Sequence, residues 1–154
     1  MAKIDVAQVK EMIGCGYPKP FDEPCLKRGR KRLGDAAGLS QFGVNLMRLA
    51  PGVWSSQRHW HSYEDEFIYV VKGEVVLVTD GEEETLRAGD CAGFAAGKND
   101  GHHLQNRSGA EALLLEVGTR SREDATEYSD IDMRYDPTAG GGAYTHKNGR
   151  PYGQ

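Results

Sequence analysis

Four of the five histidines fall in two tight groups, His59/His61 and His102/His103. On an extended strand successive side chains alternate faces, so His59 and His61 point the same way, about 7 Å apart, and can share one cation. Glu66 follows past a polar turn, Ser62-Tyr63-Glu64-Asp65, and heads the apolar run EFIYVV. An inward carboxylate at the head of such a strand needs a partner, and a metal ion supplies one. Taken alone, HWHSYEDE also reads as a wet loop between strands. The carboxylate at a turn-plus-strand offset and the second histidine pair several strands on turn the reading toward a metal centre.

These residues need a scaffold, and the glycines outline it. Gly73, Gly81, Gly89 and Gly97 recur every eight residues, with Gly101, Gly109 and Gly118 continuing the rhythm. Between them lie β-branched and aromatic runs, Glu66 to Val71, Glu74 to Thr79 and Ala112 to Val117. Short strands so punctuated predict an all-β sandwich or barrel. Lys72-Gly73, Asp80-Gly81 and Ser108-Gly109 are expected to be tight turns with glycine at positive φ. The intervening residues are not self-similar, which excludes a solenoid. The barrel spans residues 40–118, between an N-terminal arm over 1–39 and a C-terminal arm over 119–154. Val6, Val9, Met12 and Ile13 have the spacing of one buried face of a short helix. The C-terminal arm is polar, with Gly140-Gly141-Gly142 a candidate for mobility, and it either wraps its own barrel or reaches a neighbour's.

At 154 residues the chain has the size of one domain. Its 20 glycines, about 13% against a usual ~7%, show no collagen period. A net charge of −4 argues against a polyanion binder, so no nucleic-acid partner is expected. Lys27 to Arg32 nevertheless places five basic residues in six positions, either a solvated segment or a dock for a phosphorylated ligand or an acidic partner. No apolar run approaches the ~18 residues of a membrane span, and the N-terminus has no signal-peptide core. Cys15, Cys25 and Cys91 share no ligand spacing and read as reduced thiols of a cytoplasmic protein.

With these residues in view the sequence resembles the cupin superfamily, in particular small single-domain bacterial members. The first motif of that superfamily reads here as Gly52, His59, His61, Glu66 and Gly73, and the second as Gly89, Ala95 in place of proline, Gly97, His102 and Asn106. Gly52 lies one residue further from the first histidine than is usual, and the gap from Gly97 to His102 is longer by two; neither departure removes a metal-binding atom. The resemblance implies a double-stranded β-helix, or jelly-roll barrel, over residues 40–118. It also implies His59, His61, Glu66 and His102 as ligands of one divalent transition metal. His102 is preferred over His103 because it keeps the three-residue gap to Asn106. It shares strand parity with Leu104 and Asn106, which leaves His103 facing outward.

Such a site takes Mn, Fe, Co, Ni or Zn and, if six-coordinate, keeps two positions open for water or a chelating substrate. A redox-silent ion would act as a Lewis acid in isomerase or lyase chemistry. Fe(II) would instead support a dioxygenase. The basic segment tilts the reading toward the first, on an oxygenated anionic or sugar-like substrate. A non-catalytic sensor of small ligands is the alternative from another class. For acid–base work Tyr63 and Glu64 are the candidates, with Asp65 beside them and Asp100 at the rim. Met47 and Trp60 either line the pocket or pack. A polar arm with too little apolar surface for its own core suggests docking onto a second subunit, hence a homodimer.

Overall fold

The computed structural model describes residues 3–138 and 143–153; the Gly140-Gly142 tract lies outside them. The described residues form thirteen short strands: β1 (Glu11–Ile13), β2 (Gly29–Arg32), β3 (Phe42–Leu49), β4 (His59–His61), β5 (Glu66–Lys72), β6 (Glu74–Val78), β7 (Glu83–Arg87), β8 (Cys91–Phe94), β9 (His103–Gln105), β10 (Ala112–Thr119), β11 (Thr126–Tyr128), β12 (Arg134–Asp136) and β13 (Ala143–Thr145). They assemble into antiparallel sheets ordered β1-β2-β3-β10-β5-β8, β7-β6-β9 and β13-β12-β11-β4. This is the all-β jelly roll expected. Among the described residues no helix is long and apolar enough to cross a membrane.

Alternation along the strands builds the core. In β5, Ile68 and Val70 turn inward while Phe67, Tyr69 and Val71 turn out. Across the large sheet Val70 sits opposite Leu114, and Leu114 opposite Met47. These residues pack with Val75 and Leu77 of β6, Leu86 of β7 and Leu104 of β9 as one buried cluster. The apolar strands thus form a rigid wall, and the polar ends of β4, β5 and β9 carry the chemistry.

Three turns are fixed by different means. Gly73 has φ +79°, and a Cβ there would lie 2.8 Å from the Glu111 carbonyl oxygen, so only glycine fits. Gly81 and Gly109 do not adopt the positive φ expected of them. At Gly109 the fully buried Asn106 takes over. Its Oδ1 accepts from the Ser108 amide and hydroxyl, and its Nδ2 donates to the carbonyls of Leu49 and Ala110. At Gly81 the loop is closed by Thr79, whose amide and hydroxyl both donate to the Glu82 carbonyl.

The arms differ from expectation. Val6 to Ile13 is not a helix: a turn leads into β1, and Met12 and Ile13 are exposed. Three strand residues are too few for a period, and pairing with β2 overrides the local pattern. The basic run is not a solvated segment either, since Gly29–Arg32 is β2 and pairs with β3. The C-terminal arm wraps its own barrel, with Thr126, Glu127 and Tyr128 opposite His61, Trp60 and His59. That removes the arm as the ground for a second subunit.

Candidate metal centre

Strand β4 presents His59 and His61 to one side, as period-2 geometry requires, and β5 begins with Glu66 facing them. Glu66 Oε2 lies 3.7 Å from His59 Nε2, 3.6 Å from His61 Nε2 and 2.7 Å from His102 Nε2. Donor atoms of His59, His61 and Glu66 fall within 4.8 Å of one another, a grouping able to hold a metal ion. His102 joins them from the loop before β9, its Nε2 in hydrogen-bond contact with Glu66 Oε2 while its ring stacks on Phe94 at 3.5 Å. The three histidines singled out in the sequence therefore converge on one carboxylate oxygen of the fourth residue, Glu66.

The ring tautomers follow from the outer contacts. His59 donates from Nδ1 to the Gln57 carbonyl at 2.9 Å, which leaves a lone pair on Nε2. Burial holds this imidazole neutral, down to about 3, against the pull of Glu66. His61 bonds through Nδ1 to Asp124 Oδ2 at 2.6 Å. Burial opposes its charging, but Asp124 and Glu66 together raise it above the ordinary range. Burial likewise pushes Glu66 up, yet the His102 bond and the facing imidazoles hold it well below the usual carboxylate range. An ionised, deeply set carboxylate faced by the Nε2 lone pair of a neutral imidazole is electrostatically unfavourable unless a cation sits between them. The donor set thus fits a divalent ion with nitrogen and oxygen preference.

Asp124 went unseen in the sequence. Its Oδ1 accepts from the amides of Tyr63 and Glu64, so it fixes both the His61 ring and the turn leading to Glu66. The contact spans 63 residues and starts in the polar arm, so no local spacing announces it. Of the acid–base candidates, Tyr63 is 61% exposed, and it enters these contacts through its amide. Glu64 lines a cavity of about 250 Å³ with Trp60, His61, Glu66, Phe94 and Asp100. Burial, with Asp124 and Glu66 nearby, raises its carboxyl above the ordinary range, although Oε1 accepts from the Ser121 amide. Asp65 is a strut whose Oδ1 accepts from the Ala96 amide, and Asp100 Oδ1 accepts from that of Asp80.

Strand parity predicts His103 outward, but the residue is buried and lines the barrel-side cavity together with His59, His61, Glu66 and His102. It is 4% exposed, edge-on to Trp54, with Nδ1 bonded to the Ser56 carbonyl and Nε2 to Gln105. A second cavity of about 230 Å³ opens on the barrel side of the centre, lined by His59, His61, Glu66, His102, Met47 and residues of the N-terminal arm. Met47 therefore both packs and lines, and Trp60 lines the other cavity.

A family model described as "Cupin domain" matches residues 45–118. Among curated proteins, polyketide synthase CurC of Streptomyces cyaneus is 30% identical over 106 residues, 64% of this chain and 67% of that protein. Among solved structures, a sugar phosphate isomerase of the cupin superfamily from Silicibacter pomeroyi is 46% identical, with TM-score 0.94 over 99% of this chain and 97% of the other. A proposed sugar phosphate isomerase from Acidithiobacillus ferrooxidans is 27% identical, with TM-score 0.74 over 83% of this chain and 81% of the other.

Proposed function

Because the chain belongs to the cupin superfamily, we propose that it is a cytoplasmic metal-dependent isomerase of a small polyoxygenated substrate. The carrying observation is the convergence of His59, His61 and His102 Nε2 on one oxygen of Glu66, a residue that lines the adjoining cavities. These four residues are the proposed ligands of one divalent transition metal. When bound, the ion supplies Lewis acidity to a substrate carbonyl and its neighbouring hydroxyl. Likeness to sugar phosphate isomerases supports this reading.

The residues of the chain divide the remaining work. Glu64, its carboxyl raised by burial, takes the proton from the carbon beside the carbonyl and returns it to the former carbonyl carbon, while the proton of the neighbouring hydroxyl passes to the former carbonyl oxygen. Asp124 orients His61. Trp60 and Phe94 line the approach and keep water from the carbon that loses its proton. The relative named as a polyketide synthase suggests polyketide chemistry as a second reading.

The test is a screen of aldoses, ketoses and their phosphates in D₂O under anaerobic conditions, read by NMR. Deuterium entering the carbon next to the carbonyl, with isomer formed at the same rate in air and under argon, supports the proposal. Turnover that requires O₂ would establish a dioxygenase, and saturable binding without exchange a sensor.

A further inference from the structure

The basic segment supplies a feature that the isomerase reading leaves unused. Arg28 is 8% exposed, yet among the described residues it forms no ion pair. Its Nη1 donates to the Ser55 carbonyl and its Nη2 to the Gly14 carbonyl at 3.0 Å, while Nε is buried with no partner. Two residues on, Arg30 sends Nη2 to Glu116 at 3.0 Å and also keeps a buried, unpartnered Nε. Both arginines line the cavity that contains His59, His61, Glu66 and His102. A guanidinium out of water and opposite no carboxylate is costly unless an anion joins it.

The charges choose the kind of anion. The charged side chains lining this cavity are Arg28 and Arg30 against Glu66 and Glu116, with the Cys15 thiol, lowered by its hydrogen bond to Cys25 and by nearby Arg28, beside them. A divalent ion at the histidines would add positive charge, which an anionic group of the substrate neutralises. A phosphate monoester carries about −1.5 to −2 at neutral pH and offers three acceptor oxygens. Tyr17 and Tyr144 share the cavity wall, and burial raises both above the ordinary range, so they remain hydroxyl donors. A neighbouring cavity lined by Arg28, Arg30, Arg32 and Tyr144 gives a cationic approach from solvent.

We propose that Arg28 and Arg30 form a phosphate subsite, holding the ester of a phosphorylated substrate whose carbonyl end reaches the histidines. The inference rests on the isomerase reading for its substrate, but its test does not depend on turnover. Inorganic phosphate is titrated into the metal-loaded protein and into chelator-treated protein, with calorimetry and the arginine Nε–Hε NMR signals as readouts. Saturable binding in both forms is expected, with the Arg28 and Arg30 signals shifting and R28Q weakening it at least tenfold. R28K, which keeps the charge but not the fork, should lose less. Should R28Q fail to fold, the wild-type Nε–Hε shifts decide. Phosphate that binds only the metal-loaded form, a folded R28Q with wild-type affinity, or unmoved Arg28 signals would overturn the proposal. A protein that binds phosphate but takes up no divalent metal would instead sink the isomerase reading and leave this subsite standing.

Discussion

Asp124 shows how a residue outside the motifs can govern those inside them. It accepts from His61 Nδ1 and from two amides of the ligand turn, so it sets both the tautomer and the direction of the ring. Contacts of this kind are commonly worth 10- to 100-fold in metal affinity. Asp124→Asn should therefore weaken divalent-metal binding by about 10- to 100-fold while the fold persists, as calorimetric metal titration would show. His103 gives a separate test through pH. Burial depresses its ionisation, so the native state keeps it neutral while the unfolded chain binds a proton below about 6.5. Its stability contribution is complete above that value and is lost as pH falls toward its depressed native value. His59 acts in the same sense and His61 in the opposite one. The fall in melting temperature of chelator-treated protein between pH 7 and 5 should thus be shallower in His103→Gln. At this scale the sequence was most legible: H-x-H, the offset carboxylate and the gap to Asn106 found the residues that converge. It was silent on Asp124, because a bond across 63 residues leaves no local trace.

Among the elements, legibility followed strand length. The runs in β5, β6 and β10 alternate long enough to declare themselves, and each forms within two residues of its expected ends. The arm strands β1, β2, β11, β12 and β13 have three or four residues each and owe their form to partners already in place. That is why the spacing of Val6 to Ile13 imitates a helical stripe, and why the polar arm carries no local sign that it pairs with β4. Turns show the same division. Gly73 combines positive φ with a blocked Cβ position, so Gly73→Ala should destabilise the barrel by about 1–3 kcal/mol in urea unfolding. Gly109→Ala meets open space without positive φ and should change stability by less than about 0.5 kcal/mol. In that loop Asn106 carries the structure, and Asn106→Ala should cost about 2–4 kcal/mol by stranding the buried groups it now bonds.

The whole molecule presents one surface that a soluble monomer would rarely keep. The outer face of the large sheet sets Phe67, Tyr69 and Val71 beside Leu115 and Val117, with Val44 and Leu46 on the next strand. Phe67, Tyr69 and Val71 are 42%, 40% and 48% exposed. Contiguous apolar patches of this kind mark association surfaces. A homodimer through this face, rather than through the polar arm, is the expected assembly. Light scattering at micromolar concentration should give twice 16.9 kDa, and Tyr69→Glu should return the mass to the single-chain value. A wild-type monomer would discard this assembly and leave the metal centre untouched, since each chain supplies its own ligands.

The central claim is that four side chains from β4, β5 and the loop before β9 hold one divalent ion. Elemental analysis of purified protein, wild type against the paired substitution of His59→Ala and Glu66→Gln, tests it most directly. About one equivalent of a divalent transition metal per chain in the wild type, and less than a tenth of that in a folded double variant, is the predicted result. Equal metal in both proteins, or none in the wild type after reconstitution with Mn, Fe, Co, Ni and Zn in turn, would contradict it.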